Sequence, residues 1–69
     1  MVKQRKFEYE YVTLCDFGTP NRRDALGKHK NLATANRQYA RLWRIYGKLH
    51  GYKVWLETAE QANKKGFKE

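Results

Sequence analysis

The hydrophobic positions of this chain repeat every two residues near its start. They take a helical period in the middle and return to the two-residue period before a short helical end. From Lys6 to Phe17 aromatic and β-branched residues dominate, which suits a pleated strand. Phe7, Tyr9 and Tyr11 alternate with Glu8 and Glu10, giving one face to bury and one to leave wet. Past Tyr11 the alternation blurs, because Val12 and Leu14 fall on the acidic side while Thr13 and Cys15 continue the aromatic one. That pattern predicts either a far half covered on both faces or a bulge that shifts the alternation by one residue.

Thr34–Leu49 has the clearest periodicity. Ala35, Tyr39, Leu42, Tyr46 and Leu49 are spaced 4, 3, 4, 3 and fall within about 80° of arc on a helix, which predicts one core-facing stripe. Thr34 is the expected N-cap, and Gly51 stands where a C-terminal glycine belongs. Lys48 and His50 suit the negative end of the helix dipole. Beside the core stripe, Asn36, Ala40 and Gly47 border Trp43, small residues that would let another backbone approach. Tyr52–Glu57 then reads as a strand, with Tyr52, Val54 and Leu56 on one face and Lys53, Trp55 and Glu57 on the other. Thr58 to Gln61 has the form of a capping box, predicting a two-turn helix ended by Gly66, with Phe67 available to pack back.

Residues 18–33 are read in two ways. Gly18, Pro20 and Asn21 end the first strand, and Thr19-Pro20 suits a short helix from Pro20 to Leu26 stopped by Gly27. The other reading is a long basic loop from Asn21 to Asn31 with a short strand at His29–Ala33. The expected fold is α+β: a small two- or three-stranded sheet packed against one long amphipathic helix, with a short C-terminal helix, and residues 1–69 forming a single small domain. If its two clear strands are adjacent and parallel, the crossover through the helix is right-handed; with a third strand, the sheet becomes a hairpin plus one return strand. Either sheet leaves edges that invite pairing with a second chain, so a homodimer is a candidate assembly.

Charge sharpens this picture. The net charge of +8 resides wholly in residues 17–56, where nine basic side chains face Asp24 alone, while both ends of the chain are neutral. Arg37, Arg41, Arg44 and Lys48 step 4, 3, 4 and fall within about 60° of arc, roughly opposite the apolar stripe. Like charges four residues apart work slightly against a helix, and nothing acidic on this one offsets them. Such a stripe points to an anionic partner, and three arginines fork onto phosphate or carboxylate better than lysines do. Arg22, Arg23, Lys28 and Lys30 would extend the contact from the connection. Only Asn36 and Gln38 flank the stripe to read base edges, so little sequence preference is expected.

Other chemistry finds few residues to carry it. His29 and His50 are 21 residues apart and Cys15 is the only cysteine, so no metal-ligand spacing exists and no metal or cofactor is expected. There is no serine, the scattered glycines form no phosphate loop, and Cys15 reads as a small buried hydrophobe; enzymatic activity is not expected. His29 reads as a loop residue. One cysteine, no apolar stretch long enough to span a membrane and no secretion signal place the expected location in the cytoplasm, away from membranes. Two functional expectations result. The first is a small basic module binding nucleic-acid phosphates. The second is a small interaction or inhibitor protein, of the kind phages and mobile elements carry, that docks an acidic protein surface through Trp43, Ala40 and Gly47. Trp55 is a further contact candidate, available to stack on a partner or to be covered by the C-terminal helix.

Overall fold

The computed structural model describes residues 8–68, so the expected start of the first strand at Lys6 and Phe7 lies outside the described residues. Strands β1 (Tyr11–Cys15) and β2 (Asp24–His29) form a hairpin, helix α1 (Leu32–Leu42) runs on into π-helical turns at Trp43–Leu49, and β3 (Val54–Thr58) leads directly into α2 (Ala59–Lys65). The sheet has three antiparallel strands in the order β2-β1-β3. This is an α+β fold, with the hairpin-plus-return arrangement and no parallel crossover.

β1 is the centre of everything. Val12, Thr13, Leu14 and Cys15 are all buried, because the sheet carries a helix on each face. Val12 and Leu14 pack with Ala62 of α2, joined by Tyr9, Ala25, Trp55 and Phe67. Thr13, pointing the other way, meets His29, which in turn meets Gln38 of α1. The blurred alternation past Tyr11 therefore reflects cover on both faces. The bulge lies on the partner strand, where Leu26 is the extra residue between the pairs Thr13↔Gly27 and Leu14↔Ala25. Tyr9 sits with Val12 and Leu14, so the expected Phe7–Tyr9–Tyr11 face breaks at Glu10.

Residues 18–33 form neither the short helix nor the loop with a strand at His29–Ala33. Asp24–His29 is a strand of low intrinsic propensity, held by its ladder to β1 and by the burial of its last residue. Gly27 is closely approached there: a Cβ would lie 3.1 Å from His29 Cε1 and 3.5 Å from Leu42 Cδ1, the place where α1 crosses the hairpin. The turn before it carries Phe17 at φ 48° and Asn21 at φ 69°. Phe17 is held in that strained region by Tyr46 and Tyr52, whose rings lie 5.7 and 5.4 Å away.

The long helix also starts earlier than Thr34. Asn31 is its N-cap, with extended backbone and a side-chain oxygen that accepts the Thr34 N–H at 2.9 Å. Leu32 and Ala33 are exposed, so the first turn adds nothing to the apolar stripe that periodicity could detect. Asn31→Ala is expected to cost about 1 kcal/mol in a denaturant titration, and Thr34→Ala a few tenths at most. Equal losses would refute this cap assignment.

At the far end, Leu49 leaves the core and is 76 % exposed. Each residue of a π turn advances through a smaller angle than in an α turn, so positions after Trp43 fall behind their α-helical places. Gly51 at φ 75° closes the helix as expected, and Thr58 caps α2 by accepting the Gln61 N–H.

Candidate functional site

The outer face of the long helix is where the predicted cations gather. Arg37, Arg41, Arg44 and Lys48 are all exposed, on the side away from Ala35, Tyr39 and Leu42. Among the described residues there are two salt bridges, Arg22–Asp24 and Arg23–Glu57, and neither involves this helix. Lys30, just before the N-cap, is also exposed.

The other cations of the connection do not join that face. Arg23 is folded inward: its guanidinium grips both oxygens of Glu57 at 2.7 and 3.0 Å, and its Nε–H donates to Gly66 O at 2.7 Å. Lys28 pairs in register with Val12 and lies over the rings of Tyr9 and Phe67, on the α2 side of the sheet. Arg22 binds Asp24 and lies over the Phe17 ring at the hairpin turn.

A groove of about 490 Å³ between that turn and β3 is lined by Asp16, Asn21, Arg22, Arg23, Lys53 and Trp55. Its two arginines are already matched by Asp24 and Glu57, which leaves Lys53 as its one cation without a salt bridge among the described residues.

The Arg23–Glu57 pair has a measurable consequence. Arg23's hydrogen bonds hold the Glu57 carboxyl below its ordinary value of 4.5, with the Trp55 Nε1–H helping and partial burial opposing. A depressed native pKa contributes stability above about 4.5 that is lost as pH falls through the lower native value. Melting temperature is therefore expected to drop on acidification below that point. Glu57→Gln should be destabilised at neutral pH, with the gap to the parent narrowing progressively on acidification. A constant gap between the two across this range would refute it.

The protein-contact candidates are placed differently from expectation. The Trp43 indole covers Gly47, where a Cβ would lie 2.8 Å from its Cδ1 and Nε1, so Gly47 is occupied by its own helix rather than open to another backbone. Trp43 is still 44 % exposed, and Ala40 is exposed beside it. Ile45, which pattern reading missed, and Leu49, which it placed on the core stripe, emerge on the outside. Trp55 is partly buried: it packs with the Val12–Leu14–Ala62 cluster, donates to Glu57 Oε2 at 2.9 Å and keeps one side on the groove.

One constellation has the form of a nucleophile, base and orienting group. Thr13 Oγ1 lies 2.7 Å from His29 Nε2, and Gln38 Oε1 lies 2.8 Å from His29 Nδ1. Thr13 is fully buried and His29 is 1 % exposed, so no substrate reaches the hydroxyl in this fold. The arrangement ties β1, β2 and α1 together, and His29 is a buried structural residue rather than part of a loop. Cys15 is buried as well, and desolvation pushes its thiol up, away from the reactive thiolate.

Among the described residues no cluster of His, Cys, Asp and Glu is arranged to hold a metal, and no helix is long and apolar enough to cross a membrane. No family model, curated protein or solved structure matches the chain.

Proposed function

We propose that this chain is a small binding module that contacts nucleic-acid phosphates through the outer face of its long helix, with little sequence preference. The observation that carries this reading is the row of four exposed cations, Arg37, Arg41, Arg44 and Lys48, left without a carboxylate partner among the described residues. A solvated helix ordinarily mixes signs, and this one keeps like charges side by side. Gln38, one of two side chains available for reading bases, is turned toward His29, which leaves Asn36 alone beside the stripe. Binding then rests on phosphates, whose contacts release counterions and are strongly salt-dependent.

The test is a titration of a fluorescent duplex or single-stranded oligonucleotide at about 50 mM salt, where phosphate contacts are strong, repeated as salt is raised. Tight binding that weakens steeply with salt is expected. No binding at low salt would refute the reading.

A second reading draws on the exposed Trp43, Ile45 and Leu49 interleaved with the cations. A small interaction protein would dock these side chains on an apolar strip of a partner while the arginines meet its acidic rim. For that role Trp43→Ala should abolish capture of the partner in nuclease-treated extract while the fold, followed by circular dichroism, stays intact.

A further inference from the structure

β3 is the outer strand on one side of the sheet, and its ladder to β1 decides which of its backbone groups stay open. Asp16 N–H donates to Lys53 O at 3.1 Å, and Ala59 N–H donates to Glu10 O at 2.8 Å. These bonds bracket the ladder and set its phase. In an antiparallel pair alternate residues face the neighbour, so Lys53, Trp55 and Glu57 bond to β1 while Val54 and Leu56 direct N–H and C=O outward. The opposite edge is covered at its start. Lys68 N–H donates to Arg23 O and Ala25 N–H to Lys68 O, both at 2.7 Å, laying the C-terminal stretch along β2. Among the described residues nothing lies along β3 in this way; its one outward contact is a long 3.4 Å hydrogen bond from the Tyr39 hydroxyl to Val54 O. A strand edge of Val, Trp and Leu with no proline or bulge is the kind that templates pairing.

We propose that β3 pairs with β3 of a second copy about a two-fold axis at Trp55, making one six-stranded antiparallel sheet. In this register Val54 and Leu56 of the second copy exchange both backbone hydrogen bonds, and the mirrored pair does the same. Trp55 faces Trp55 of the second copy, and Lys53 faces Glu57 of the second copy at each end. Glu57 keeps its Arg23 partner, so Lys53 of the second copy approaches an existing ion pair at each end, and the apolar Trp55 centre sets this register. Shifting the axis to Leu56 sets Trp55 against Glu57 and Lys53 against Ala59; shifting it to Val54 sets Lys53 against Trp55. Only the Trp55 axis opposes the two unlike charges with apolar residues between them. Because the axis is normal to the sheet, both long helices lie on one face, and their basic sides add.

Sedimentation equilibrium of the full chain over a concentration series, without nucleic acid, is expected to approach twice the 8.3 kDa of one copy. Hydrogen exchange at the Leu56 amide is expected to slow as the dimer fills. Lys53→Glu alters an exposed side chain and sets a carboxylate against the Arg23-bound Glu57 at each end, so dissociation should rise about threefold or more. Leu56→Pro removes an outward N–H that serves no internal ladder bond and should yield a monomer, its fold checked by circular dichroism. A single-copy mass at every concentration overturns the proposal. So does a dimer whose dissociation constant ignores Lys53→Glu, or Leu56 protection independent of concentration. Since no nucleic acid is present, this result is separate from the fate of the phosphate reading.

Discussion

His29→Leu is expected to cost about 2–3 kcal/mol of folding stability, because it leaves a fully buried hydroxyl without a partner. With Gln38 presenting its side-chain oxygen, His29 donates from Nδ1 and its Nε2 accepts from the Thr13 hydroxyl. Leucine removes both bonds at once. Gln38 lies on the exposed side of α1 and finds water, whereas Thr13 does not. A domain of this length has roughly 3–10 kcal/mol of total stability, so the loss is a large fraction and lowers the melting temperature by roughly 10–20 °C.

The double-mutant cycle discriminates. Thr13→Val alone strands the imidazole lone pair, while Thr13→Val with His29→Leu replaces both polar partners by apolar groups of similar shape. The double variant should therefore lose about 1 kcal/mol less than the sum of the singles. Additive losses in urea titrations would mean the contact does not couple the strands as its geometry suggests.

That network shows why parts of the fold were legible in the sequence and others were not. The apolar stripe of α1, the alternation of β3 and the capping box of α2 are local patterns, each visible within a few residues. β2 has no such pattern. Ala25-Leu26-Gly27-Lys28 neither alternates nor favours strand, and it is held by β1 and by a histidine whose partners are 16 residues before and nine after. Leu49 was misplaced for a different reason, since the π turns change the angular step on which any helical wheel depends.

The candidate site divides the same way. Which residues are cationic is written in the chain, but which remain available is a matter of tertiary pairing. Arg23 reaches a carboxylate 34 positions away, and Lys28 lands on the opposite face of the sheet from α1. The four helix cations stay exposed and without a salt bridge among the described residues.

That row gives the second large effect. Arg41→Glu with Arg44→Glu is expected to weaken oligonucleotide binding at low salt by about a hundredfold, and the neutral pair Arg41→Ala with Arg44→Ala should reduce the slope of log affinity against log salt by about two. Lys28→Ala, on the far side of the sheet, should leave the slope unchanged. Stability should move in the opposite direction. A carboxylate at position 41 faces Arg37 one α turn away and replaces a repulsion with an attraction, so the reversed variant should melt at or above the parent by a few tenths of a kcal/mol. Binding lost while stability is kept cannot be produced by unfolding. If the reversed variant still binds nucleic acid with the parental salt slope, the helix face is not the contact. If both variants bind weakly and melt early, the cations act on the fold and the phosphate reading fails.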